Sequence, residues 1–153
     1  MKKEFKEYDE ETLQKIQQTE MEILKDFIEV CEKHNLTYFG IAGTGIGALR
    51  HQGFIPWDDD IDVAMPRDDF ERLVRFIEKE KGDKYLIMDT KHYPNYPLMT
   101  TRITMRGTKF KEEALKSIDA PMGIFLDLYP LDKMSDDPKE AKKQARDAWF
   151  WSK

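Results

Sequence analysis

Cysteine is almost missing from these 153 residues, with Cys31 standing alone. One thiol can form neither an intrachain disulfide nor a cysteine-built zinc site, so packing must hold the fold, and a reducing compartment is the expected setting. Long apolar runs are missing too. No stretch reaches the roughly eighteen consecutive apolar residues that a spanning helix needs. The first residues, Met1-Lys2-Lys3-Glu4-Phe5-Lys6-Glu7, lack the apolar centre of a signal peptide. A cytoplasmic protein is expected, with peripheral contact at the inner face of the membrane left open. Positive charge is in deficit: 25 Lys and Arg face 30 Asp and Glu, a net charge of −5. Neutralising a nucleic-acid backbone requires the opposite balance, so no nucleic-acid partner is expected, although a nucleotide can still be held through a metal ion.

What is present suits one globular domain over residues 1–153, because 40% of the residues are hydrophobic and 36% charged. Leu13, Ile16, Leu24, Phe27, Ile28 and Cys31 recur at three- and four-residue steps, which predicts an amphipathic helix from about residue 10 to residue 34 with Asn35 as C-cap. A short strand is expected over 37–42, then a glycine turn and a short helix. After Pro66, Asp68 and Glu71 have capping-box spacing, and Phe70, Leu73, Val74 and Ile77 give a helix its buried face as far as about Lys81. Further strands are predicted over 85–88, 98–105 and 123–129, with a charged segment around 112–119 between the last two. Asp137 as N-cap, Pro138 at N1 and Glu140 at N3 open a last helix, which ends on Trp149-Phe150-Trp151. Helices and strands in this order make the fold α+β. Three adjoining aromatics call for a burial partner, whether more protein or a second copy.

The sharpest local signal is Asp58-Asp59-Asp60-Ile61-Asp62, inside a stretch bounded by Ile55-Pro56-Trp57 and Val63-Ala64-Met65. On an extended strand Asp58, Asp60 and Asp62 project from one face. Crowded carboxylates oppose one another's ionisation, and a hard divalent cation with oxygen ligands relieves this. A solvated acidic turn is the alternative, against which the apolar flanks argue. An EF-hand loop fails, since Val63 stands where its glycine belongs and Asp69 where its bidentate Glu belongs. Trp57 reads as core more readily than as a ligand contact. Asp127 interrupts the apolar run 123–130 and needs a cationic partner, either a salt bridge or a shared metal.

Gly43, Gly45 and Gly47, at the mouth of a short helix, would let backbone N–H groups approach a phosphate, with Thr44 beside them and Arg50 adding a guanidinium. A tight turn without a ligand is the plain alternative. The run also satisfies the loose dinucleotide fingerprint, so a dinucleotide-binding oxidoreductase is a rival, weakened by the short helix before the acidic strand. The Walker phosphate loop is excluded by the absence of Gly-Lys-Ser/Thr.

Taken together, Gly43-Thr44-Gly45-Ile46-Gly47-Ala48-Leu49-Arg50-His51 and Phe54-Ile55-Pro56-Trp57-Asp58-Asp59-Asp60-Ile61-Asp62 resemble the LicD family closely. Phe125-Leu126-Asp127-Leu128-Tyr129-Pro130-Leu131-Asp132 is similar to its second block. The resemblance implies a nucleotidyltransferase-like fold, a small mixed β-sheet flanked by helices, with the amphipathic helix preceding it. It implies transfer of phosphocholine, or a related phospho-alcohol such as ribitol phosphate, from a CDP-activated donor such as CDP-choline. The acceptor would be a cell-surface glycan or lipid-linked glycan, as in teichoic acid or lipopolysaccharide. Mg²⁺ or Mn²⁺ would be held by Asp60, Asp62 and Asp127, with Asp58 as ligand or base, so that Asp58, Asp60, Asp62 and Asp127 form the catalytic set. Gly43, Thr44, Gly45, Gly47 and Arg50 would bind phosphate. His51, Arg102 and Lys109 are weaker candidates for the donor. The resemblance implies that family members run on for about a hundred residues more, so the chain is expected to be cut short at its C-terminus. A nucleotide-binding module without turnover, and a homo-oligomer through the aromatic end, are the expectations that go with that.

Overall fold

The computed structural model describes residues 8–110, 115 and 117–151. The charged segment expected at 112–119 lies partly outside them. The first helix, α1 (Glu10–His34), opens where the Asp9 carboxylate accepts from the Thr12 N–H at 2.9 Å. It closes at Asn35, whose φ of 50° is left-handed and whose N–H returns to the carbonyls of Cys31 and Glu32, the C-cap that the sequence predicts. Its buried arc is Ile16, Glu20, Ile23, Phe27, Val30 and Cys31. Leu24 and Ile28 pack against the core only partly buried. The arc is therefore turned toward Ile23 and Val30 from the predicted stripe, and it includes a carboxylate.

The remaining elements are β1 (Phe39–Gly40), α2 (Ala42–His51), β2 (Asp62–Pro66), α3 (Arg67–Lys81), β3 (Tyr85–Met88), β4 (Thr101–Met105), β5 (Phe125–Leu131) and α4 (Pro138–Trp151). The five strands form one mixed sheet in the order β1-β2-β5-β4-β3. β2 and β5 run parallel, and the other neighbours run antiparallel. Alternation along each strand sorts the side chains between two faces. Val63, Met65, Ile87, Ile103, Leu126 and Leu128 join Phe27, Leu73 and Ile77 in one core cluster, so α1 and α3 cover that face. Each such buried side chain is worth roughly 1.5–3 kcal/mol. The alternate positions, Asp62, Ala64, Arg102, Asp127 and Tyr129, fall on the opposite face.

Several boundaries differ from the sequence reading. The strand expected over 37–42 keeps only Phe39 and Gly40, because the chain turns into α2 at Ala42 and the glycines lie inside that helix. Asp68 does not cap α3: the helix starts at Arg67 behind Pro66, which has no cap side chain, and Asp68 sits in the first turn. β4 starts at Thr101 and β5 runs on to Leu131, both later than predicted. The Asp137 cap is as predicted, its Oδ1 accepting from the N–H groups of Lys139 and Glu140 at 2.9 and 3.0 Å. α4 buries none of its residues, and Trp149, Phe150 and Trp151 are exposed. No helix of the described residues is long and apolar enough to cross a membrane.

Gly47 shows what the helical glycines are for. A Cβ at this position would run into the carbonyl oxygen of Gly53 and stand 3.0 Å from the Ile55 nitrogen, so only glycine lets the loop after α2 fold back onto it. At Gly53 a Cβ would meet nothing within 4 Å. Gly47→Ala is expected to destabilise the chain by about 1–3 kcal/mol in urea unfolding, whereas Gly53→Ala changes it by less than about 0.5 kcal/mol.

Candidate active site

The parallel pairing of β2 and β5 sets Asp62 directly beside Asp127, and the antiparallel pairing of β5 and β4 sets Asp127 beside Arg102. Arg102 donates from Nε to Asp127 Oδ1 at 2.9 Å, with its guanidinium 3.6 Å from the centroid of the Phe125 ring. Asp127 thus has the cationic partner that burial demands, and Arg102 is occupied in supplying it. Burial pushes the Asp127 carboxyl above its usual range, against the opposing pull of Arg102. Burial raises Asp62 too, opposed by a hydrogen bond from the Tyr129 hydroxyl and by the Arg102 charge.

Asp58, Asp59 and Asp60 lie in the loop ahead of β2, half-buried, with one carboxylate oxygen of each within 4.8 Å of the other two. The one-strand geometry expected of Asp58, Asp60 and Asp62 therefore holds for Asp62 alone. The cause is the turn before it: the Asp58 N–H donates to the Ile55 carbonyl at 2.9 Å across Pro56 and Trp57. This turn curls the loop and brings in Asp59, which the alternation argument left out. It also leaves Trp57 77% exposed, against its assignment to the core. Burial, then Asp62, Asp58, Asp59 and Asp127, push the Asp60 carboxyl up to about 7. Asp58 is raised by burial and by Asp59, while a hydrogen bond with Asp60 opposes the shift.

Two side chains of α1 reach the same region. Gln17 donates from Nε2 to the Asp58 carbonyl at 2.8 Å. Glu20 is 1% exposed, and burial, then Asp60, Asp59, Asp58 and Asp127, push its carboxyl up to about 9. The sequence reading missed Glu20, although its position between Ile16 and Ile23 on the helical stripe was the available signal.

The glycine run is stitched to the acids differently from the expected turn. The Asp62 N–H donates to Thr44 Oγ1 at 2.8 Å, and the Ile41 N–H to the Asp62 carbonyl at 3.1 Å. Gly43, Gly45 and Gly47 all keep negative φ, and the left-handed residue is Ala42 at 46°. Their role is close approach: a Cβ on Gly43 would collide with the Asp58 carboxylate, and one on Gly45 would stand 3.0 Å from the Gly40 carbonyl. Arg50 and His51 lie exposed in the last turn of α2, with Arg50 about 12 Å along the axis from Ala42. The structure does not bring Arg50 to the helix N-terminus. Lys109 is exposed beyond β4. Beside Asp58 and Asp60 opens a cavity of about 280 Å³, walled by Met21, Leu24, Ala48, Phe54, Ile55 and Ile61.

Oxygen donors alone, gathered where burial and then neighbouring carboxylates hold Asp60 near 7, are the ligand set that suits a hard divalent ion. Asp127 can serve while paired, since a carboxylate offers about four lone-pair sites and Arg102 Nε takes one. Residues 35–150, which carry all of these strands and the acidic loop, match the LicD/FKTN/FKRP nucleotidyltransferase domain family. The chain belongs to the LicD family. Its domain is 35% identical over 129 residues, 84% of this chain, to the lipopolysaccharide cholinephosphotransferase LicD of Haemophilus influenzae. Over 72 residues it is 36% identical to an uncharacterized protein of Rickettsia typhi and 44% identical to one of Rickettsia prowazekii. The chain spans 47% of the length of the Haemophilus protein and 23% and 27% of the rickettsial ones. The dinucleotide-binding rival falls on topology: β1 and β2 flank α2 as antiparallel neighbours, where that fold requires a parallel crossover.

The raised carboxyls make this LicD-family domain sensitive to alkali. Asp60 and Glu20 keep protons in the folded state that the unfolded chain gives up near pH 4, so their stabilisation is complete below that pH. It is lost as pH rises through about 7 for Asp60 and about 9 for Glu20. The melting temperature of the chelated protein should fall between pH 5 and 9 by at least about 5 °C. Asp60→Asn should flatten the lower half of that fall.

Proposed function

We propose that this domain binds a CDP-activated phospho-alcohol and transfers its phospho-alcohol group, phosphocholine foremost, to a sugar hydroxyl of a cell-surface glycan or lipid-linked glycan. Asp62 and Asp127 abreast on parallel strands, with Asp58 and Asp60 entering from the adjoining loop, carry this reading. The likeness to a lipopolysaccharide cholinephosphotransferase supports phosphocholine as the group moved. Lipopolysaccharide is the first acceptor to consider and teichoic acid the second.

In the reaction, the acceptor oxygen forms a bond to the phosphorus that bears the alcohol. The bond from that phosphorus to the bridging oxygen breaks, and CMP leaves with the electron pair. Asp60, Asp62 and Asp127 would hold Mg²⁺ or Mn²⁺, which when bound supplies positive charge to the diphosphate and the leaving nucleotide. Tyr129 keeps the Asp62 carboxylate oriented through its hydroxyl. Asp58, raised by burial and by Asp59, would take the acceptor proton. The first turn of α2 would offer backbone N–H groups to phosphate, and the missing Cβ of Gly43 makes room beside it for the Asp58 carboxylate.

Calorimetry with CDP-choline should show binding that requires Mg²⁺ and is lost in Asp60→Ala and Asp62→Asn. Binding that is indifferent to metal and unchanged in Asp60→Ala would overturn the proposal. A parallel panel of CDP-ribitol and CDP-glycerol identifies the alcohol. Release of CMP by the chain alone, in the presence of acceptor, distinguishes a transferase from a nucleotide-binding module. Tyr129→Phe should lower that turnover about tenfold while leaving the fold intact by circular dichroism.

A further inference from the structure

The most unusual buried group outside the strands is on α1. Gln17 grips the Asp58 carbonyl at 2.8 Å, so this turn of the helix rests on the acidic loop. Glu20 follows three residues later on the same helical face. It is 1% exposed, and its Oε2 is buried without a hydrogen-bond partner among the described residues. The charges acting on it are those of the site itself, with Asp60 first, then Asp59, Asp58 and Asp127.

A core helix gains nothing by placing a carboxyl between Ile16 and Ile23, and an unsatisfied buried oxygen destabilises the fold. Adding one more negative group where several already oppose one another worsens that balance, unless a cation sits among them. A hard divalent ion reverses the sign of each of these terms. It takes an oxygen that has no other partner, and it is held more firmly by each added carboxylate.

We propose that Glu20 is a further ligand of the divalent cation held by the acidic loop, supplying through Oε2 an oxygen from α1. The inference rests on the loop being a cation site, as the proposed function has it. It adds a third structural source of ligands, after the loop and the two strands, and makes the seating of α1 part of cation binding. The competing account is a glutamic acid that simply stays protonated in the core and never meets the ion.

The full chain, stripped of metal with a chelator, is titrated with Mn²⁺ alone by calorimetry, and its melting temperature is read with and without Mn²⁺. Wild type, Glu20→Gln, Glu20→Met and Asp60→Asn are compared. Both Glu20 variants should melt at or above wild type in the absence of metal, since they remove a buried carboxyl. Both should bind Mn²⁺ at least about fivefold more weakly and lose most of the Mn²⁺-induced rise in melting temperature. Glu20 variants that bind within about fivefold of wild type, while Asp60→Asn loses binding, overturn the role of Glu20 and leave the cation site standing. Failure of both variants to fold without metal would make Glu20 a structural core residue and also overturn it. A wild type that takes up no Mn²⁺ removes the cation site itself, and the proposed function with it.

Discussion

Asp62 and Asp127 stand abreast because β2 and β5 pair in parallel with a single register, and the rest of the site depends on that pairing. A slip of one residue would set Leu126 or Leu128 beside Asp62, and the two carboxylates would leave the same level of the sheet. The register is held from the other face. Val63, Met65, Leu126 and Leu128 are at most 1% exposed beneath α1 and α3, and a slip would drive this apolar set out of the core. The hydrophobic face of the sheet thus determines where its charges meet.

The carboxylates gathered there are a liability that the fold compensates only in part. Arg102 neutralises Asp127 and Tyr129 supports Asp62. Asp58 and Asp60 share a hydrogen bond, an arrangement open to two carboxyl groups when one keeps its proton. The chain spends stability to concentrate negative charge beside an apolar cavity, which a solvated acidic surface does not do. α2 enters this arrangement through its backbone: Thr44 anchors the start of β2, and Gly43 makes room for Asp58.

Much of this was legible one residue at a time. The α1 C-cap at Asn35, the α4 cap at Asp137, the strand at 85–88 and the need of Asp127 for a cation follow from local chemistry, and the structure bears them out. The errors share a cause. Reading Asp58, Asp60 and Asp62 as one strand assumed that extended geometry begins where the acids begin, whereas the Pro56-Trp57 turn delays it to Asp62. Reading the glycines as a turn at the mouth of the helix set them ahead of it, whereas all three lie within α2. Here they serve approach, and Ala42 takes the positive φ.

The sequence by itself determined which residue types are available for chemistry: an acidic run in an apolar setting, a lone carboxylate on a later apolar strand, and small residues between. These are covalent facts, and local spacing is enough to expose them. Only the tertiary structure decided that Asp127 faces Asp62 from a segment more than sixty positions away, that Arg102 is committed to Asp127, and that Glu20 of α1 is buried within reach of the loop acids' charge. Those are matters of strand order and helix seating, set by how the whole apolar surface packs, and no short window of sequence contains that information.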